Sequence, residues 1–121
     1  MALEWKLDKH RPICPQLCEQ LCARIAAGEF APGQRLLSVR DVAVAAGVNP
    51  NTVQRAFEQL ELQGVLRSER GAGWFVGDDP KAAEELRQDM AKEKLSDFFS
   101  EMTGLGLSPE DIKNLVKEWE V

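Results

Sequence analysis

The 121-residue chain, 44% hydrophobic and 29% charged, has the size of one compact domain with a short appendage and an ordinary soluble composition. No apolar run approaches the ~20 residues that span a bilayer. The opening Met-Ala-Leu-Glu-Trp-Lys lacks the apolar core and cleavage site of a signal peptide, so the expected location is the cytoplasm. The formal charge of −5 would disfavour a nucleic-acid partner if it were evenly spread. Residues 1–78, however, hold nine Lys/Arg and nine Asp/Glu, and residues 79–121 hold six and eleven, so the excess lies in a C-terminal third expected to face away from DNA.

Residues 1–11 are mixed and polar, with Trp5 and Leu7 as candidate anchors. A first helix is predicted from near Pro12 or Pro15, because proline is tolerated in a first turn. Ile13, Leu17, Leu21 and Ile25 give it an apolar face, and Gly28 ends it. Ala31-Pro32-Gly33 is a turn signal, followed by a short extended piece at Leu36 and Leu37. A short second helix opens at Ser38, with Asp41 placed to reach back in a capping box, and stops at Gly47. The third helix has Asn49 as N-cap and Pro50 at its first position, with Val48 and Val53 spaced as a hydrophobic staple. Its stripe Val53, Ala56, Phe57, Leu60 is the buried face, and Gly64 closes it. Val65-Leu66-Arg67 and Trp74-Phe75-Val76 read as two strands around a tip at Arg70-Gly71-Ala72-Gly73. Asp78-Asp79-Pro80 marks a boundary between a domain of residues 1–78 and a tail of residues 79–121, which contains helices over 81–103 and 108–120. Ser108, Pro109 and Asp111 mark the start of the last helix, with Leu107 and Ile112 as a second staple.

A short helix joined through a glycine turn to a capped helix, then a hairpin with a glycine-rich tip, is the layout of a winged helix-turn-helix. Its second helix enters the major groove N-terminus first. The fold class is therefore mainly α with a small β-hairpin, a DNA-binding domain followed by a two-helix tail. At about 100° per residue, Asn51 and Arg55 lie opposite the buried stripe, with Gln54 alongside. Amides pair with adenine and guanidinium with guanine. Thr52 and Ser38 can donate to phosphate, Arg40 can clamp the backbone or reach a base, and the start of the third helix offers a positive dipole end and free N–H groups.

The run Pro32-Gly33-Gln34-Arg35-Leu36-Leu37-Ser38-Val39-Arg40-Asp41-Val42-Ala43 resembles the signature of the GntR family of bacterial regulators. So do Gly47-Val48-Asn49-Pro50-Asn51-Thr52-Val53-Gln54-Arg55-Ala56-Phe57, the pair Leu60-Glu61 and the wing Gly71-Ala72-Gly73-Trp74-Phe75-Val76. Pro12-Ile13-Cys14-Pro15-Gln16-Leu17 is similar to the family's first helix, with Cys14 where an aromatic is common. The resemblance covers residues 12–77. It implies double-stranded DNA as partner and DNA-binding roles for Ser38, Arg40, Asn49, Asn51, Thr52, Arg55, Arg70 and Gly71. Gln54 stands where many members carry a basic residue. The short tail resembles the YtrA-type branch, whose tail builds a homodimer, and repression is what the family implies.

In the tail, Ala83, Leu86 and Met90 share one face of the long helix, and Leu95, Phe98, Phe99 and Met102 share nearly the opposite one. The first half is expected to pack on the DNA-binding domain. The second half, with Ile112, Leu115, Val116 and Trp119, is expected to form the dimerisation surface; the alternative is an intrachain hairpin, or a kink restoring one face. Cys14, Cys18 and Cys22 form a stripe at i, i+4, i+8 spanning about 12 Å, too long for one ion to join all three. Buried reduced cysteine is favoured over a metal or redox sensor. No phosphate-cradling loop, Ser/His/Asp set or paired carboxylates point to an enzyme, and there is no room for an aminotransferase-like region. The retained Arg40, Asn51 and Arg55 argue against an interaction module that has lost DNA. No cofactor and no membrane partner are expected; a small-molecule effector that relieves binding would fit the family, and no residue identifies it.

Overall fold

Residues 4 to 11 form an extended arm held along the first helix, α1 (Ile13–Ala26). Along the arm, residues 4, 6 and 8 are each gripped by a side chain one helical turn earlier in α1 than the last. Arg24 donates to the Glu4 carbonyl. The Gln20 amide accepts from Lys6 N–H at 3.0 Å and donates to Lys6 O at 2.6 Å. Gln16, buried, accepts from Asp8 N–H at 2.7 Å and donates to Asp8 O at 2.9 Å. Four residues of helix advance about 6 Å and two residues of extended chain nearly 7 Å, so the two repeats stay in step. The Arg24 guanidinium also covers the Trp5 ring at 5.3 Å. The structure, a computed structural model, describes residues 4–121; residues 1–3, which open the segment read as the first domain and as lacking a signal peptide, lie outside the described residues.

Helix α2 (Val39–Ala46) starts at Ser38, whose Oγ accepts from Asp41 N–H at 3.0 Å. Only this half of the expected capping box is made, whereas at Ser108 both bonds form. Gly47 ends α2 with φ +69°, a left-handed conformation costly for other residues, and this reverses the chain into α3 (Pro50–Leu62). Asn49 Oδ1 accepts from Asn51 N–H at 2.8 Å, and Pro50 occupies the first helical position. Val53, Ala56, Phe57 and Leu60 are all buried, as their spacing predicts. Both α1 and α2 pack on α3, so this stripe is the centre of the core. Burying each large apolar side chain contributes roughly 1.5–3 kcal/mol.

Strands β1 (Leu66–Glu69) and β2 (Gly73–Val76) pair antiparallel, Leu66 opposite Val76 and Glu69 opposite Gly73. β1 starts one residue later and ends two residues later than the sequence suggests, and β2 takes Gly73 from the expected tip, leaving Arg70–Ala72. The far edge of β2 takes up residues 34–36: Leu36 N–H donates to Trp74 O at 2.8 Å and Val76 N–H to Gln34 O at 2.9 Å. Pairing thus falls one to two residues before the expected Leu36-Leu37 piece.

Helix α4 (Pro80–Gly104) runs without interruption and α5 (Pro109–Glu118) follows. The chain divides into two compact units, up to Arg87 and from Gln88. The first two turns of α4 therefore go with the first unit, beyond the sequence boundary at residue 78. There, Pro80, Ala83 and Arg87 line a small cleft with Ile25, Phe30 and Pro32. In the second unit, Ser108 Oγ accepts from Asp111 N–H and Asp111 Oδ2 from Ser108 N–H, each at 3.1 Å. Phe98 and Phe99 meet edge to face at 5.9 Å, and Ile112 is fully buried. No helix among the described residues is long and apolar enough to cross a membrane.

Candidate nucleic-acid interface

The turn at Gly47-Val48-Asn49 sets α2 and α3 as a pair and leaves one face of α3 open. Asn51 and Arg55 are exposed on that face, and Thr52 and Gln54 are half-buried at its margins. Both Asn51 and Arg55 project from the first two turns of a helix whose core stripe is closed, so the scaffold fixes their backbone. Ser38 and Arg40 are exposed at the start of α2, and Arg70 and Gly71 are exposed at the wing tip, where Gly71 takes φ +80°.

Asn49 and Ser38, both expected at DNA, are engaged in capping helices. Asn49 spends Oδ1 on the α3 cap. Ser38 Oγ accepts from Asp41, and its hydroxyl proton remains available for a phosphate oxygen. The expected free N–H groups at the start of α3 are largely absent. Pro50 has none, Asn51 N–H is capped, and Thr52 and Val53 N–H point to Asn49 O at 3.0 and 3.4 Å. What the helix start offers an anion is its dipole and its side chains rather than a cradle of donors.

Sequence reasoning passed over several residues here. Glu58 lies on the same outward face, one turn beyond Gln54, and Gln54 Nε2 donates to Glu58 Oε1 at 2.9 Å. Leu62, 89% exposed, continues that face. Glu61 accepts from Ser68 N–H at 2.8 Å and from Ser68 Oγ–H at 2.6 Å, tying α3 to β1. The Ser68 hydroxyl and amide hold the Glu61 carboxyl below the usual range. Phe57 meets Trp74 edge to face at 5.5 Å, a second tie between α3 and the wing. Extending the α3 helical projection past Arg55 would have found Glu58 and Leu62. The Glu61–Ser68 tie needs the hairpin register and has no local signal.

Between α3 and the wing runs an open groove of about 770 Å³, lined by Gln54, Glu58, Glu61, Ser68, Glu69 and Arg70 among others. The open face of α3 is thus polarised: amides and Arg55 in its first half, carboxylates in its second. Arg67, by contrast, is held in place, with Nε 2.9 Å from Asp78 Oδ2 without hydrogen-bond alignment, Nη1 3.4 Å from Glu69, and the guanidinium over Phe75 at 4.7 Å.

The cysteine stripe faces α3. Cys14 Sγ lies 3.7 Å from Gln59 Oε1 and Cys18 Sγ 3.6 Å from Ala56 O, while Cys22 is buried. Burial, with the neighbouring Cys14 sulfur, pushes the Cys18 thiol up to about 12, and burial raises Cys22 too. Both are protonated thiols at neutral pH and so poor nucleophiles. Among the described residues, no group of three or more His, Cys, Asp or Glu is placed to hold a metal ion.

Comparison with known proteins places this geometry. Residues 15–76 match the family described as bacterial regulatory proteins, gntR family. The chain is 35% identical over 112 residues to an uncharacterised HTH-type transcriptional regulator, YhcF, of Bacillus subtilis, covering 93% of each chain. It is 32% identical over 108 residues to the HTH-type transcriptional repressor YtrA of the same organism, covering 88% of this chain and 83% of YtrA. A solved GntR family transcriptional regulator from Listeria monocytogenes superposes with a TM-score of 0.86 at 37% identity, covering 94% of this chain and all of that one. A capped reading helix, a glycine turn before it, a wing behind it and these likenesses agree: the chain belongs to the GntR family of bacterial regulatory proteins, DNA-binding transcriptional regulators of the winged helix-turn-helix type.

Proposed function

We propose that this protein binds an inverted-repeat operator as a homodimer in the cytoplasm and represses transcription from it. The observation that carries the reading is the exposed pair Asn51 and Arg55, one turn apart on the open face of a capped, well-packed helix. Asn51 and Arg55 read base edges, Gln54 lies beside them, and Ser38, Arg40 and Thr52 hold phosphates. Asn49 acts by setting the start of α3. Arg70 and Gly71 meet the backbone or minor groove from the wing.

The second copy is expected on the tail. A cleft of about 540 Å³ is lined by Phe98, Met102, Leu115, Val116, Trp119 and Val121, all apolar. Leu95, Phe98, Leu115, Val116 and Trp119 are exposed, a cluster that a water-soluble chain covers with a partner. Phe99 and Met102 are half-buried at its edge, and Ile112, fully buried already, supports the tail's own packing. Repression follows the name of the relative YtrA.

Selection of bound sequences from random duplex DNA by the purified full chain tests the reading. Recovery of an inverted repeat, its half-sites spaced by about one helical turn or a multiple of it, is expected. Failure to enrich any sequence at low salt, where phosphate contacts are strongest, refutes it.

A further inference from the structure

The outward face of α3 does not end at Arg55. Glu58 follows at the next helical position on that face and is exposed. A carboxylate on a surface that approaches phosphates is unfavourable unless it has a specific donor to meet. In the free protein that donor is Gln54 Nε2, at 2.9 Å from Glu58 Oε1. The bond fixes which way the amide points, because a carboxylate repels the amide oxygen and attracts its N–H. Gln54 keeps its own oxygen and one N–H, and Glu58 keeps its second oxygen and its remaining lone pairs. Both side chains line the groove between α3 and the wing.

We propose that Glu58, oriented by Gln54, is a specificity-determining residue that accepts a hydrogen bond from the exocyclic N4 amine of a cytosine in the major groove. Among bases, cytosine presents a donor there with no acceptor beside it, and a carboxylate is its natural partner. A guanine or thymine at the same position brings an acceptor oxygen against the carboxylate, so the pair selects by exclusion as well as by attraction. Carboxylates at Glu61 and Glu69 in the same groove add to the negative potential. The inference rests on α3 lying in the major groove and deepens that reading by assigning the base beyond the Arg55 contact.

The test is selection from random duplex DNA with four full-length proteins: the natural chain, Glu58→Ala, Glu58→Gln and Arg55→Ala. The natural chain is expected to require cytosine at one position next to the position that Arg55→Ala disturbs. Glu58→Ala should lower that cytosine preference by roughly tenfold and leave the remaining positions unchanged. Glu58→Gln should move the preference toward adenine, which offers the N6/N7 pair an amide matches. Glu58 is exposed, so both variants are expected to keep the circular dichroism and melting transition of the natural chain. A motif that changes with Arg55→Ala but is identical in both Glu58 variants overturns the role of Glu58 and leaves the α3 reading standing. A motif unchanged in all three variants, or no motif at all, overturns both.

Discussion

Replacing Trp119 with alanine isolates the tail's contribution to assembly. Trp119 caps α5 and is 75% exposed in the single chain. It therefore contributes little to folding and much to any surface that covers it. Of an aromatic area of about 250 Å², some ~190 Å² is open to be buried, which at ~25 cal/mol per Å² is roughly 4–5 kcal/mol when fully covered. Alanine keeps the first carbon and covering is incomplete, so about 3 kcal/mol per protomer is the working figure. In a two-fold dimer the loss occurs twice, about 6 kcal/mol, which weakens dimerisation by roughly four orders of magnitude. Sedimentation equilibrium of the full chain across the micromolar range measures this directly. The natural chain should be dimeric at tens of micromolar and Trp119→Ala monomeric, with unchanged helical circular dichroism. Equal masses for the two proteins would refute the assignment of this surface, and a monomeric natural chain would refute the dimer itself.

Three further outcomes follow from particular contacts. Arg70→Ala should weaken binding evenly across sequences and lower the slope of log affinity against log salt by about one, as loss of a single phosphate contact does; an altered sequence preference would instead place Arg70 on a base. In the tail, the Asp111 carboxyl is held below its usual range by the backbone and hydroxyl of Ser108. Its contribution to α5 is present above the unfolded value of 3.8 and is lost as pH falls through the lower folded value. Asp111→Asn should remove that portion of the acid transition followed by circular dichroism. Cys18 and Cys22, with raised pKa values, should resist iodoacetamide at pH 7.5 and react once the chain is unfolded; mass spectrometry of the labelled peptides reads the order, and fast labelling of Cys18 in the folded protein would contradict its burial against α3.

The helices were legible because their ends carry their own chemistry. Ser38, Asn49-Pro50 and Ser108-Pro109 each announce a helix start, and the Val53–Leu60 stripe reports its own burial. Strand ends were legible to a residue or two, since the tip Arg70–Ala72 is short and its register depends on cross-strand pairing. Long-range ties were not legible. The grip of Gln16, Gln20 and Arg24 on the arm requires knowing that an extended chain lies along α1, and neither segment states this alone. The same holds for Glu61 with Ser68. Ile112 and Trp119 share one helical stripe, yet the first is fully buried and the second exposed, a distinction set by packing rather than periodicity. The free N–H groups expected at the start of α3 failed for a local reason: Pro50 and the Asn49 cap remove the donors that make such a site.

The central claim is that Arg55 reads a base edge. The direct measurement is a double-mutant cycle between Arg55→Ala and replacement of single guanines in the selected operator by 7-deazaguanine, which exchanges the N7 acceptor for carbon. For the natural chain, one guanine per half-site should lose about 1–3 kcal/mol of binding on this exchange. For Arg55→Ala the same exchange at that guanine should cost nothing further, giving a coupling energy close to the full loss. Equal losses in both proteins at every guanine would show that Arg55 meets no guanine N7 and would contradict the assignment of Arg55 to a guanine edge.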